Sequence, residues 1–175
     1  SGNNVNVAAV NGNFDDCQRK VKECFVDEEL KEYMEKNYQK FSSANSINIG
    51  RLIPQIVYYF KAYLDLVNKK EINLYDKVNV SVPTGNFGDI LAGYLAKQMG
   101  CPIETFICAS NENNVLTEFI QTGIYNAKRI FKKTNSPSMD IVISSNLERL
   151  LYLYCKDDNL VTQMMNDLQE KGSYE

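Results

Sequence analysis

A glycine-bracketed turn lies between an apolar run and a helical pattern. Residues 78–82 alternate valine with polar side chains, as a half-buried strand does, and Pro83 ends that strand because it cannot donate a ladder hydrogen bond. Gly85 and Gly88 permit positive φ angles, which can turn successive backbone N–H groups inward to form an anion-binding nest. A helix predicted from about Asp89 adds unpaired N–H groups and partial positive charge. The sequence therefore predicts a phosphate site.

The spacing of these glycines excludes two common phosphate sites. A Walker A loop ends in Gly-Lys-Ser/Thr, whereas Gly88 is followed by Asp89, and the dinucleotide fingerprint needs G-x-G-x-x-G, whereas the spacing here is G-x-x-G. The Asp89 carboxylate would repel a phosphate, so we expect it to point away. On spacing alone, a purely structural strand-to-helix turn is an equal alternative.

Composition limits the class of protein. The chain has 175 residues, 44% of them hydrophobic, which is enough for one domain with a core. A net charge of −3 without a long basic run argues against nucleic acid as a partner. The sequence contains no histidine, which excludes Ser-His-Asp and Cys-His catalysis and most zinc sites.

The cysteines and the apolar runs indicate the cellular compartment of the protein. The five cysteines show no C-x-x-C spacing, and their odd number fits reduced thiols in the cytoplasm. No apolar run approaches the roughly 18 residues of a membrane span, and no signal peptide is recognisable. We therefore expect a cytoplasmic protein without a membrane partner or a metal site.

Strands alternating with helices predict an α/β fold, an open and mostly parallel sheet with helices on both faces. The predicted strands are apolar runs at residues 5–10, 78–82, 103–109 and 141–143. The predicted helices share an amphipathic or buried pattern and include residues 27–36, 53–68, 115–121, 147–155 and 161–169. Ser145 and Asn146 precede one of these helices and are expected to cap it.

A cluster of small polar residues at 42–48 precedes the helix that contains Pro54. It has two interpretations, a loop that caps the helix, or a lining for a cofactor or substrate pocket formed by Asn45, Ser46 or Asn48. Small polar groups of this kind could orient a hydroxyl or a carboxylate.

Several stretches together resemble the threonine synthases. They occur in the order in which that family has them: residues 13–18 (NFDDCQ), 42–51 (SSANSINIGR), 80–89 (VSVPTGNFGD), 136–140 (SPSMD) and 144–151 (SSNLERLL). The resemblance implies a pyridoxal-phosphate enzyme of the tryptophan-synthase-β-like fold, fold-type II, which converts O-phosphohomoserine and water to threonine and phosphate. It also implies that Gly85, Asn86, Phe87 and Gly88 hold the phosphate of the cofactor.

The chain departs from the family in what it lacks. The lysine that forms the Schiff base lies, in such enzymes, in an upstream F-K-D-like segment, and no match is found here. Phe60 and Lys61 are followed by Ala62 inside an amphipathic helix, where Lys61 reads as a solvated side chain. We therefore expect residues 1–175 to be a single α/β domain from the centre of a longer enzyme, without catalytic residues of its own, inactive alone and partnered by the parent's remaining domains.

Two further functions stay open. One is a threonine-synthase-like phospho-lyase, which eliminates phosphate from the same type of substrate without making threonine. The other is a non-catalytic anion-binding or interaction domain that keeps the fold.

Overall fold

A computed structural model describes residues 2–12, 14–43 and 48–175. The chain forms two compact units, Ser1–Ser42 and Ser43–Glu175. The first unit contains helices α1 (Phe14–Val26) and α2 (Glu28–Lys36). The Asp27 carboxylate caps α2 by accepting from the Leu30 amide at 2.9 Å, as Ser, Thr, Asp and Asn do at this position.

The strand predicted at residues 5–10 is wrong. These residues have no regular structure and are exposed, with Val7 91% accessible. An apolar run alone does not make a strand, because a strand needs a neighbour that accepts and donates its ladder hydrogen bonds.

The second unit holds the remaining elements. Pro54 lies in a 3₁₀ turn (Ile53–Gln55) that joins the first two helices of this unit, consistent with its missing N–H group. The elements in chain order are α3 (Ile49–Leu52), α4 (Ile56–Asn68), β1 (Val78–Pro83), α5 (Gly88–Gln98), β2 (Ile103–Ala109), α6 (Val115–Thr122), β3 (Tyr125–Asn126), α7 (Leu147–Cys155), α8 (Asp158–Lys171) and β4 (Ser173–Tyr174).

β1 and β2 form a parallel pair, connected by α5, and this confirms the α/β pattern. Val82 lies opposite Cys108 and Pro83 opposite Ala109, so both strands end at the same edge. β3 and β4 form a short antiparallel pair in which the Tyr125 and Tyr174 rings stack at 5.1 Å. The strand expected at residues 141–143 is wrong, since this segment pairs with no strand of the described chain and runs as a connection.

The helices predicted from periodicity are present with small shifts at their ends. α7 has the expected bounds, whereas α8 begins three residues earlier, at Asp158, because the Asp157 side chain caps it through the Leu160 amide. Within the described ranges, no helix is long and apolar enough to cross a membrane.

The core of the second unit packs α4 and α5 against the parallel strands. Leu91 and Ala92 of α5 are fully buried, and Gly93 admits a close approach of two rings. A Cβ at Gly93 would lie 2.6 Å from the ring of Tyr59 and 2.7 Å from that of Phe106. These two rings are in edge-to-face contact at 6.2 Å, so neither can move without disturbing the other.

This packing gives a stability prediction. We expect Gly93→Ala to lower the free energy of unfolding, because an overpacking cost of about 1–3 kcal/mol exceeds a helix-propensity gain of about 1 kcal/mol. Urea denaturation followed by circular dichroism measures this change. Gly50→Ala in α3 is the control, since the nearest described atoms that its Cβ would meet belong to the Asn48 side chain, at 3.1 Å. A Gly93→Ala variant as stable as the parent would contradict the prediction.

Candidate functional site: an anion-binding loop

The loop formed by residues 84–88 joins the end of β1 to the start of α5. Thr84 anchors its first residue, because the Thr84 amide donates to Ala109 O at 2.7 Å and its hydroxyl donates to Val82 O at 2.7 Å. Thr84 is 6% exposed. The loop therefore begins from the end of both parallel strands, where open α/β sheets place their ligands.

The positive φ angle of the turn is on Phe87 (63°), not on Gly85 or Gly88, which corrects the sequence-based expectation. A left-handed conformation at a non-glycine residue costs roughly 1–2 kcal/mol, so surrounding contacts must impose it. Gly85 is required for a different reason. A Cβ there would lie 2.8 Å from Cδ1 of Ile141, so the absence of a side chain lets that residue pack on the loop.

Four backbone N–H groups of the loop have no acceptor in the described part of the chain. Among the described residues, none accepts a hydrogen bond from the amides of Gly85, Asn86, Phe87 or Gly88. These four N–H groups lie at the N-terminus of α5, whose dipole adds positive potential. Unpaired amides at a helix start are the arrangement that binds a phosphate group.

A cleft of about 310 Å³ opens beside these amides. Arg51 lines it, and within the part of the chain that the structure describes no carboxylate forms an ion pair with this guanidinium. Gln55 also lines it, and its buried Oε1 has no hydrogen-bond partner there. The other lining residues are Pro83, Thr84, Gly85, Asn86, Phe87, Gly88, Asp89, Ile90, Ser138, Met139 and Ile141.

Asp89, the one acidic residue among the described residues that line the cleft, is drawn towards α4. The Tyr59 hydroxyl lies 2.8 Å from Asp89 O and 3.2 Å from a carboxylate oxygen of Asp89. Burial raises the pKa of Asp89, and the hydrogen bond from Tyr59 opposes that rise. Tyr59 thus holds part of the negative charge beside α4, in line with the expectation that this carboxylate points away from an anion.

A buried carboxylate fixes the segment that closes the cleft. Asp140 is 2% exposed and accepts from the amide and the hydroxyl of Thr134 at 2.9 and 2.7 Å. It also accepts from the side-chain amides of Asn111 and Asn113 at 2.7 and 3.1 Å. Because Met139 and Ile141 flank this carboxylate, the network sets the position of two lining residues.

Not every predicted site residue is in this cleft. Gly85, Asn86, Phe87 and Gly88 all line it. Asn48 instead caps α3, accepting from the Gly50 amide at 2.9 Å and donating to Ser43 O at 2.9 Å. Asn45 and Ser46 lie outside the described residues, so a role for the 42–48 cluster stays a prediction.

Lys61 behaves as a surface lysine. Its side chain is 69% exposed and its Nζ lies 2.5 Å from an Asp65 carboxylate oxygen, one turn further along α4. No lysine is among the described residues that line the cleft.

Two residues that contact the loop from behind, Ser144 and Asn146, were not predicted from the sequence. Asn146 was expected to cap α7, but its side chain makes no capping bond. Its backbone amide and its Nδ2 both donate to Asn86 O at 3.0 Å, and Ser144 Oγ donates to Gly85 O at 2.7 Å. The only signal in the sequence was the SSN stretch itself, because a contact across about 60 residues leaves no local pattern.

No protein-family model matches the sequence. The chain is 49% identical over 169 residues to the human protein "Threonine synthase-like 1", covering 95% of this chain and 23% of that protein. It is 42% identical over 182 residues to threonine synthase of Saccharomyces cerevisiae, covering 98% of this chain and 34% of that protein. The chain thus spans about a quarter to a third of the length of these relatives.

Solved structures of threonine synthases match the fold of this chain. The chain superposes on the pyridoxal-phosphate-bound threonine synthase from Brucella melitensis with a TM-score of 0.78 and 45% identity, covering 94% of this chain and 33% of that one. The yeast threonine synthase gives a TM-score of 0.76 at 38% identity, with 94% and 32% covered. The expected fold class, α/β within fold-type II, is confirmed by these matches.

The Asp140 network predicts a pH dependence of stability. The hydrogen bond from the Thr134 amide, with those from three side chains, holds the pKa of Asp140 below its ordinary value, against the opposing effect of burial. A lowered folded-state pKa stabilises the fold above the unfolded pKa of about 3.9, and that contribution is lost as the pH falls below it. We expect Asp140→Asn to be less stable than the parent at neutral pH and to lose less stability between about pH 5 and pH 3.

Thermal unfolding at several pH values measures both effects. Glu29→Gln, which removes an exposed charge in α2, is the control and should follow the parent curve. Parallel pH curves for Asp140→Asn and the parent would contradict the assignment.

Proposed function

We propose that this chain, which in sequence and fold matches one part of a threonine synthase, is the central portion of a longer enzyme and binds the phosphate of pyridoxal phosphate. One observation carries the proposal: four consecutive amides, at residues 85–88, lie unpaired among the described residues at the N-terminus of α5. Backbone amides bind an anion without placing a counter-charge near the cofactor ring.

The cleft suits the phosphate of such a cofactor. The amides of Gly85, Asn86, Phe87 and Gly88 would hold the phosphate oxygens, because N–H groups at a helix start complement an anion. Arg51 supplies a cation at the same cleft, which complements the negative charge of a phosphate. Pyridoxal phosphate, when bound, supplies an electron sink for chemistry at the substrate's carbon atoms.

The lysine that attaches the cofactor would come from another part of the parent. No lysine lines the described cleft, and Lys61 is engaged with Asp65 at the surface. This supports the expectation that the chain alone is inactive and that a complete site needs the remaining domains of the longer protein.

For the longer enzyme we propose the threonine synthase reaction, O-phosphohomoserine and water giving threonine and phosphate. Asn45, Ser46 and Asn48 stay candidates for the substrate side of the site. A phospho-lyase that eliminates phosphate from the same type of substrate is a second candidate, since the chain is 49% identical to a protein named as threonine-synthase-like and 42% identical to a threonine synthase, and these names do not fix the reaction. The ratio of threonine to phosphate formed by the longer protein distinguishes the two.

The free edge of β1 supports a role for further domains. The amides of Val78 and Thr84 donate to the β2 side at 3.0 and 2.7 Å, so the alternating residues Asn79 and Ser81 direct their backbone groups to the opposite edge. Within the described chain, that edge has no strand partner. A groove of about 370 Å³ runs between it and α4. We propose that the parent's remaining domains cover this groove.

The phosphate proposal makes a direct prediction. In the ¹⁵N-labelled chain, inorganic phosphate should shift the amide resonances of residues 84–89 and few others, because the amides of residues 85–88, unpaired among the described residues, lie in this segment at the cleft. The control is sodium chloride at equal ionic strength, which should leave them unshifted. The chain supplied with pyridoxal phosphate and O-phosphohomoserine should release no phosphate. Absence of the local shifts would refute the phosphate site, and phosphate release would refute the missing-lysine argument.

The open groove predicts self-association of the isolated chain. Tyr58 of α4 is 57% exposed at this groove, beside an unpaired strand edge, and such surfaces drive association. We expect concentration-dependent oligomers in sedimentation velocity, reduced by Tyr58→Lys. Tyr154→Lys is the matched control, since Tyr154 is also exposed (81%) but lies on α7, away from the groove. A monomer at high concentration, or equal effects of both variants, would count against the groove.

A further inference from the structure

The residues behind the loop form a set of contacts with its carbonyl groups. Ser144 Oγ donates to Gly85 O at 2.7 Å, and both the amide and Nδ2 of Asn146 donate to Asn86 O at 3.0 Å. Ser144 is 6% exposed and Asn146 is fully buried. Neither of the two donors is among the residues that line the cleft. The two carbonyl oxygens are therefore held on the side away from it.

Because of peptide geometry, these contacts also set the directions of two amide N–H groups. In a trans peptide the C=O of one residue and the N–H of the next lie in one plane and point in opposite directions. The Gly85 carbonyl shares its peptide plane with the Asn86 amide, and the Asn86 carbonyl shares its plane with the Phe87 amide. Holding the first carbonyl therefore directs the Asn86 N–H, and holding the second directs the Phe87 N–H.

Both donors are themselves fixed. Arg149 donates to Oδ1 of Asn146, which settles the orientation of that side-chain amide and leaves Nδ2 to bind Asn86 O. The amide of Ser144 donates to the Tyr125 hydroxyl at 2.8 Å, and that hydroxyl donates to Val142 O at 2.9 Å. A donor that is held by its own neighbours loses little additional entropy in holding the loop.

We propose that Ser144 and Asn146 are positioning residues for the phosphate site, an inference that rests on the proposed function of the loop. Ser144 aims the Asn86 amide and Asn146 aims the Phe87 amide, so that both point at the anion before it binds. The same contacts offset the left-handed conformation of Phe87, which the chain otherwise disfavours.

The proposal predicts a reciprocal pattern in two variants. Ser144→Ala should weaken phosphate binding about fivefold or more, the worth of a typical hydrogen bond, and should diminish the phosphate-induced shift of Asn86 more than that of Phe87. Asn146→Asp keeps the shape but removes the Nδ2 donor, and should diminish the Phe87 shift more than the Asn86 shift. Asn146→Ala removes the same donor without adding charge and should give the same pattern.

Residual dipolar couplings of the anion-free chain provide the second measurement, because they report N–H directions without any ligand. We expect the Asn86 vector to change in Ser144→Ala and the Phe87 vector to change in Asn146→Asp. Asn159→Asp, on the exposed face of α8, is the charge-matched control and should leave both vectors and phosphate affinity unchanged. Because replacing the fully buried Asn146 can unfold the chain, Ser144→Ala, which deletes only a hydroxyl, is sufficient by itself.

The outcomes separate this inference from the function on which it rests. If the chain without substitutions binds no phosphate, the proposed function fails, while the residual dipolar couplings still decide whether Ser144 and Asn146 direct the amides. If the chain without substitutions binds phosphate, but a folded Ser144→Ala variant keeps the same affinity and the same direction of the Asn86 N–H group, the positioning role is refuted and the phosphate site stands. Equal loss at both amides in either variant also refutes it, since that indicates a general loosening of the loop.

Discussion

Backbone amides can bind an anion only where the carbonyl oxygens of the same peptides are satisfied elsewhere. A buried carbonyl without a donor costs about as much as a lost hydrogen bond, so a loop that presents N–H groups must find donors behind it. In this chain the donors are Ser144 and Asn146, which follow the loop by about 60 residues. The position of α7 and of the segment before it thus decides whether the loop between β1 and α5 can hold a phosphate.

The charges around the cleft must also leave the positive end of α5 available to an anion. A carboxylate in the first turn of α5 complements the helix dipole, yet it competes with any anion for that positive end. Tyr59 reduces this conflict by donating to Asp89 from α4, which explains why a tyrosine occupies this buried position in the core. Arg51, the one cation among the described lining residues, forms no ion pair with a described carboxylate and can act on the ligand.

Local patterns predicted the helices, the parallel strands β1 and β2, and the position of the loop, because periodicity and proline and glycine signals act over a few residues. They failed where the outcome depends on distant partners. Residues 5–10 form an apolar run like that of a strand but have no ladder partner among the described residues, and Asn146 looks like a helix cap but binds Asn86 instead. The positive φ lies on Phe87 rather than on a glycine, and the absence of a side chain at Gly85 instead leaves room for Ile141.

The open edge of β1 also needs a partner that is distant in the sequence. Parallel strands are stable when neighbours cover both edges and both faces, and in the described chain β1 has a strand on one side only. The loop begins directly after this strand, so a neighbour that fixes the edge would also fix the first residues of the loop. A chain that spans about a third of its yeast relative can therefore hold the amides in place through its own Ser144 and Asn146, while the support of β1 is left to whatever packs in the groove beside α4.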